Sequence, residues 1–424
     1  MTRVELDKWQ KVYAERVSSI RPSAVRTLFA AASRPDIISF AGGMPHPKSF
    51  PLEAINKLSK KVLVEQGEKA FQYGSSEGLW ELRVEISKLM AGEGIKIHPE
   101  EVLITDGAQQ ALDLLGKIFV DPGSVVITEA PSYVGALNAF LSYQADVEGV
   151  PMDQEGMMVE ELPGLLKQLK KKGRKPRFLY AIPNFQNPAG VTLSEERREF
   201  LVNWARDEEI LLVEDNPYGS LRFEGERLAH LRALNDDIIY LGTFSKVFSP
   251  GVRIGWVVAP HSILEKMVRG KEAVNLCPSP LTQHLLVAYL RENDLSKHIE
   301  FLIELYTERR NAMLEALEEY FPEEVTWTHP AGGLFIWVTL PPYVNATEML
   351  AQALERKVAY VPGEAFFADK VNLNTLRLNF SYSEPELIFE GIKRLGKVVK
   401  DFMALTQAFI KKPAPKLKER KKKR

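Results

Sequence analysis

Residues 101–141 read EVLITDGAQQALDLLGKIFVDPGSVVITEAPSYVGALNAFL and alternate between two patterns. EVLIT (101–105) and SVVIT (124–128) are short apolar runs of strand length, whereas AQQALDLLGKIF (108–119) and VGALNAFL (134–141) carry apolar residues at helical spacing. Outward along the chain the alternation continues through RFLYAIP (177–183), SEERREFLVNWARDEE (194–209) and ILLVED (210–215). Strands alternating with helices in this way predict an α/β fold with a largely parallel sheet covered by helices on both faces. This large domain is expected over residues 51–290. Upstream, residues 1–50 read as an N-terminal arm with one amphipathic helix around PSAVRTLFAAA, ending in the turn-rich AGGMPHPKSFP. Downstream, a helical stretch through HIEFLIELYTERRNAMLEALEEYF leads to strand-like GGLFIWVTLP, VAYVPG and TLRLNFSY and a closing helix EPELIFEGIKRLGKVVKDFMAL. That order predicts a smaller α+β domain over 291–405, followed by a basic, disordered tail over 406–424. No internal repeat and no Gly/Ser-rich linker separates these parts.

With 424 residues, 45% of them hydrophobic and 26% charged, the chain has enough apolar material for two packed units. The net charge of −1 hides an asymmetry: the last fourteen residues, KKPAPKLKERKKKR, hold nine basic groups and one acid, leaving the body near −9. A folded part of that sign argues against a specific nucleic-acid surface. The single cysteine, Cys277, excludes an intrachain disulfide and a multi-cysteine metal site, and no metal is expected. The charged start MTRVELDKWQ lacks a secretory h-region. No apolar run approaches the roughly 20 residues that cross a bilayer, since IIYLGTF and GWVVAP are soon interrupted. A cytoplasmic protein without membrane contact is expected.

In open parallel sheets ligands bind beyond the carboxyl ends of the strands, so the residues following each strand matter most. After EVLIT stands a Gly-containing turn into a helix, Asp106, Gly107, Ala108 and Gln109, whose free N–H groups suit a phosphate. SVVIT leads to Tyr133, which can stack on a flat ring. RFLYAIP runs into NFQNPAG, where Asn184 and Asn187 offer amides, and ILLVED ends on Asp215 before Tyr218. IIYLG is followed by Thr243, Phe244, Ser245 and Lys246, with Arg253 seven residues beyond the lysine. Together these supply a phosphate turn, hydroxyls and an arginine, an aromatic, a carboxylate, a phenol and a lysine. That set matches pyridoxal 5'-phosphate (PLP), whose pyridine nitrogen wants a carboxylate, whose phosphate wants cationic and N–H donors, and whose aldehyde wants a lysine.

SKVFSPGVRIG, NPAG and VEDNPYG resemble the signature segments of class I/II aminotransferases of PLP fold type I. YGSSEGLWELR, TDGAQQALDL, PNFQNPAGVTLS, GTFSK and LRLNF are similar, in order, to the 2-aminoadipate and kynurenine aminotransferase branch, so the resemblance covers nearly the whole chain. It implies that Lys246 holds the cofactor through a Schiff base and then moves a proton between the substrate and the cofactor. It also implies that Asp215 keeps the pyridine nitrogen protonated, that Tyr218 and Asn187 hold the phenolic oxygen, and that Tyr133 stacks on the ring. Gly107, Ala108, Gln109, Thr243, Ser245 and Arg253 would surround the phosphate. Tyr73 would reach the phosphate of a neighbouring subunit, implying a homodimer with shared active sites.

In TLRLNF the apolar Leu376, Leu378 and Phe380 alternate with Arg377 and Asn379, so Arg377 is expected to point away from the small-domain core and into a cleft. A guanidinium fork suits a substrate α-carboxylate, and family members use an arginine of this segment for it. Gly42 and Gly43 in FAGGMP would let backbone approach the same carboxylate. Ser23 and Arg26 lie three residues apart, on one helical face. By resemblance Arg26 would meet the distal carboxylate of glutamate or 2-aminoadipate.

The expected reaction passes an amino group from an amino acid (2-aminoadipate, glutamate, an aromatic or long aliphatic donor) to a 2-oxo acid such as 2-oxoglutarate, in a ping-pong sequence. Two alternatives share the pattern. A β- or γ-eliminating PLP lyase would use the same lysine and aspartate, releasing ammonia without an acceptor. A non-catalytic ligand sensor would carry a winged-helix domain ahead of the aminotransferase-like part, for which about 50 residues are too few.

Overall fold

The alternating runs form one eight-stranded sheet in the computed structural model, which describes residues 7–20, 34, 36–369 and 372–410. The arm contributes a short strand, β1 (Ile38–Ser39). The large sheet comprises β2 (Val102–Thr105), β3 (Val125–Ala130), β4 (Asp146–Asp153), β5 (Gly156–Met157), β6 (Pro176–Ala181), β7 (Leu211–Asp215), β8 (Ile239–Thr243) and β9 (Gly255–Val258). Their spatial order is β2-β9-β8-β7-β6-β3-β4-β5. The contiguous β8, β7, β6, β3 and β4 are parallel, whereas β9 runs against both β2 and β8 and β5 runs against β4.

Strands buried on both faces must be apolar on both, which is why these runs do not alternate. Helices α1 (Leu52–Ala70), α2 (Trp80–Gly92), α3 (Ala108–Phe119), α4 (Val134–Ser142), α5 (Leu162–Lys171) and α6 (Glu195–Asp207) follow the chain through this domain. On one face Val126, Phe178, Tyr180 and Val213 pack against Leu112 and Leu115 of α3 and Phe140 of α4. On the other, Ile127, Leu179 and Leu212 meet Leu166 of α5 and Leu201 of α6. Truncating one fully buried member, as in Leu115→Ala, leaves a cavity worth about 2–5 kcal/mol. The antiparallel course of β9, formed by part of GWVVAP, is not set by its apolar pattern. A parallel neighbour needs a crossover of a dozen or more residues, usually helical, and only a single 3₁₀ turn at Pro250–Val252 separates β8 from β9.

Helices α7 (His261–Asn275), α8 (Pro280–Glu292) and α9 (Leu295–Tyr320) lead into the smaller unit. It holds β10 (Thr326–Trp327), β11 (Phe335–Thr339), α10 (Ala346–Glu355), β12 (Val358–Ala359), β13 (Val361–Pro362), β14 (Thr375–Asn379) and α11 (Pro385–Ile410). The closing helix therefore continues beyond residue 405. β10, β11, β14 and β13 form an antiparallel sheet whose core includes Leu376, Leu378 and Phe380. Part of the arm joins this unit: β1 pairs with β12, and Phe40 is buried in the same core. Among the described residues no helix is long and apolar enough to cross a membrane.

Candidate active site

The carboxyl ends of the parallel strands open onto a cleft of about 540 Å³, closed from the other side by Gly43, Phe335 and Arg377. Its volume is that of a small-molecule site. At one end, β2 passes through Gly107, at φ +73° and ψ 169°, into the first turn of α3. That backbone region is nearly restricted to glycine. The first N–H groups of α3 have no intrahelical acceptors, and Ala108 and Gln109 line the cleft. The Arg253 guanidinium lies against this turn: its Nη2 donates to the Asp106 carbonyl at 2.9 Å. A Cβ on Gly107 would stand 2.5 Å from that same Nη2. The Thr243 and Ser245 hydroxyls are 2.9 Å apart and complete a cationic, donor-rich pocket suited to a phosphate.

Lys246 projects into the middle of the cleft, where its Nζ donates to the Gly43 carbonyl at 2.7 Å. Desolvation, reinforced by the positive charges of Arg377 and Arg253, brings its ammonium down to about 8. Asp215 is buried at the end of β7. Its Oδ2 accepts a 2.6 Å hydrogen bond from the Tyr180 hydroxyl, while its Oδ1 has no partner among the described residues. Burial pushes this carboxyl up to about 7, the Tyr180 hydrogen bond opposing the shift and Glu214 adding to it.

A chain of polar contacts crosses the cleft from the large sheet to β14. Asn187 donates through Nδ2 to the Tyr218 hydroxyl at 3.3 Å and accepts through Oδ1 from Arg377 Nη1 at 2.9 Å. Arg377 also donates to the carbonyls of Ala41 at 2.9 Å and Gly42 at 3.4 Å. Its guanidinium carbon lies 4.2 Å from the ring centre of Phe335 and 5.0 Å from that of Phe366. Arg377 is 3% exposed, and its Nε has no partner among the described residues. Burial draws this guanidinium down to about 10. The strand alternation expected for Arg377 holds, because its neighbours Leu376 and Leu378 enter the small-domain core.

Lys246, Asp215, Tyr218, Asn187, Tyr133, Arg253, Arg377 and the Gly107 turn thus converge on one cleft. Gly43 lines it, and Gly42 contributes its carbonyl to Arg377. Tyr73 is 78% exposed and does not line this cleft. Ser23 and Arg26 lie outside the described residues. Asn184 turns away: it donates to Asn216 and accepts from the buried Arg198, so its amide is structural. Sequence reasoning missed Tyr180, Phe335 and the buried pair Glu129–Gln186. Gln186 donates to Glu129 at 2.9 Å and accepts from the backbone of Ala189, bracing the turn that carries Asn187. Burial raises the Glu129 carboxyl to about 8.

A buried carboxylate oxygen without a donor is costly, and Asp215 Oδ1 fits a protonated ring nitrogen. Arg253 and the Gly107 turn fit a phosphate, and Lys246 fits an aldehyde. The residues present therefore match the three ends of PLP. The family model for aminotransferase class I and II matches residues 35–395. An aromatic-amino-acid aminotransferase of Thermococcus litoralis is 43% identical over 93% of this chain and 95% of its own length. The solved kynurenine aminotransferase of Pyrococcus horikoshii, in complex with PMP, is 44% identical with a TM-score of 0.90, covering 93% of this chain and 98% of that one. The α-aminoadipate aminotransferase of Thermus thermophilus, complexed with N-(5'-phosphopyridoxyl)-L-leucine, is 40% identical with a TM-score of 0.88, covering 94% and 99%.

Proposed function

The chain belongs to the class I and II aminotransferases, PLP-dependent enzymes of fold type I that act on amino and 2-oxo acids, and from that premise we propose how its own residues do this work and on which substrates. Bound PLP supplies an electron sink for the bonds at the substrate Cα. Arg253, Thr243, Ser245 and the first turn of α3 hold its phosphate, Tyr133 covers its ring, Asn187 and Tyr218 hold its phenolic oxygen, and Asp215 holds its pyridine nitrogen. The observation that carries the substrate side is Arg377, a buried guanidinium at the cleft whose Nε finds no acceptor among the described residues. Such a group binds the α-carboxylate common to every amino acid and 2-oxo acid. Lys246, freed as an amine, takes the proton from the substrate Cα, its lowered pKa making it a base near neutral pH.

The substrates are 2-aminoadipate, glutamate, and aromatic or long aliphatic amino acids as donors, with 2-oxoglutarate as acceptor, in two half-reactions of a ping-pong cycle in the cytoplasm. Phe335 and Met44 at the cleft favour a large apolar side chain, and Arg26 is the group proposed for a distal carboxylate. The active form is a homodimer in which Tyr73 completes the partner's phosphate pocket. A donor panel with 2-oxoglutarate, read by glutamate formation, tests this. Each productive donor should give parallel double-reciprocal plots. Ammonia release in the absence of any 2-oxo acid would instead make the chain an eliminating lyase.

A further inference from the structure

Tyr180 is fully buried near the end of β6, between the apolar Leu179 and Ala181. The sheet register explains its aim. Tyr180 of β6 stands opposite Val213 of β7, so Asp215, two residues further on, shares its face of the sheet. The ring packs on edge to Phe140, 5.6 Å between centres with an interplanar angle of 75°, and Phe140 in turn is on edge to Phe178. Packing therefore leaves the hydroxyl one acceptor, Asp215 Oδ2 at 2.6 Å. We propose that Tyr180 is a positioning residue for the transamination: its hydroxyl keeps Asp215 ionised, so that the shared proton stays on the cofactor's pyridine nitrogen.

The inference rests on the reading that Asp215 Oδ1 faces that nitrogen. One proton lies between the two groups. It sits either on nitrogen beside a carboxylate, or on oxygen beside a neutral ring, and no proton is gained or lost between the two arrangements. Desolvation favours the neutral pair, because it penalises both charges. The buried carboxyl of Glu214 disfavours a further negative charge at Asp215 as well. Tyr180 is the only described side chain that donates a hydrogen bond to the carboxylate, and that bond is stronger to the charged form than to the neutral acid. A neutral ring is the poorer electron sink, so losing the hydroxyl should slow the chemical step and leave substrate binding at Arg377 unchanged.

Tyr180→Phe retains the ring and its packing and deletes only the donor. The test reconstitutes wild type, Tyr180→Phe and the packing control Phe140→Leu with PLP carrying ¹⁵N at the pyridine nitrogen, and records its chemical shift at neutral pH. Removal of one hydrogen bond to a charged group should shift the nitrogen-to-oxygen partition by roughly 10- to 150-fold. The Tyr180→Phe resonance should move toward that of an unprotonated pyridine, with kcat lowered and KM for the donor within about twofold of wild type. Phe140→Leu should keep the wild-type resonance even where its melting temperature falls. A Tyr180→Phe resonance equal to wild type overturns the proposal, as does an equal shift in Phe140→Leu, which would make the effect one of packing. An unprotonated nitrogen in wild type itself would instead overturn the underlying placement of Asp215.

Discussion

At Lys246 the neighbourhood decides the chemistry more than the residue type does. A free ammonium is protonated far above neutrality and is a poor nucleophile, but desolvation and two nearby guanidinium groups lower this one to about 8. The neutral amine is the reactive form, so its fraction rises as pH rises through that value. Uptake of PLP by the apoprotein, followed by visible absorbance, should therefore accelerate about tenfold per unit below pH 8 and level off above it, if the phosphate pocket binds equally well throughout. Acceleration continuing to pH 10 would place the lysine at its ordinary value. Lys246→Ala should show no covalent uptake and lose several orders of magnitude in transamination. Arg377 gives a second residue-scale expectation. Arg377→Gln removes the cation that meets the α-carboxylate, and a lost charge-assisted bond of about 1.5–3 kcal/mol corresponds to roughly 10- to 150-fold in kcat/KM. The loss should be similar for acidic and apolar donors, since both carry that carboxylate. A donor-selective loss would assign Arg377 to the side chain instead.

At the scale of elements, the turn between β2 and α3 links backbone geometry to cofactor affinity. Gly107→Ala forces a side chain into a region that costs about 1–3 kcal/mol and drives its Cβ into the Arg253 guanidinium. PLP affinity, measured by equilibrium dialysis, should weaken by roughly 10- to 100-fold, for which a loss of 1.4 kcal/mol per decade is sufficient. Unchanged affinity would mean that the phosphate does not sit at this turn. Such strand-end features are what a sequence displays best. Asp215, Lys246 and the Gly107 turn each follow an apolar run immediately, so their position is a local property. Arg377 was readable because alternation within one strand fixes its face. Tyr180 was not, because its meeting with Asp215 depends on the register between β6 and β7, two segments about thirty residues apart. By strand-end position alone Asn184 and Asn187 were indistinguishable for a related reason, and only the resemblance singled out Asn187. The fold supplies the physical difference: Arg198 donates to the side-chain oxygen of the first and Arg377 to that of the second.

At the scale of the whole molecule, the segment bearing Tyr73 sits apart from the cleft of its own chain and presents an apolar surface. Val64 and Phe71 lie seven residues apart on one side of α1 and its end, and are 86% and 72% exposed. The adjoining strip at the end of α7 adds Val274 and Leu276, both more than half exposed. Gly74 and Ser76 hydrogen-bond to Cys277 and Leu276, holding the two strips together. Exposed apolar side chains grouped near one segment in this way are costly to leave in water and support association with a second copy. In a two-fold dimer the Tyr73 of each chain would serve the partner's cofactor, which makes complementation the decisive experiment. A Lys246→Ala chain has an inactive site of its own but an intact Tyr73 to lend, whereas a Tyr73→Ala chain retains its lysine and lacks a phosphate contact from a like partner. Mixed after mild dissociation, the two variants should form heterodimers with one site carrying both defects and one site carrying neither. With random pairing about half the dimers are mixed, so activity should recover to about a quarter of wild type per total chain. Sedimentation of the same mixture should give a single dimeric species. Activity that stays at the sum of the two parents, in a mixture verified to contain heterodimers, would show that Tyr73 acts within its own chain or not at all.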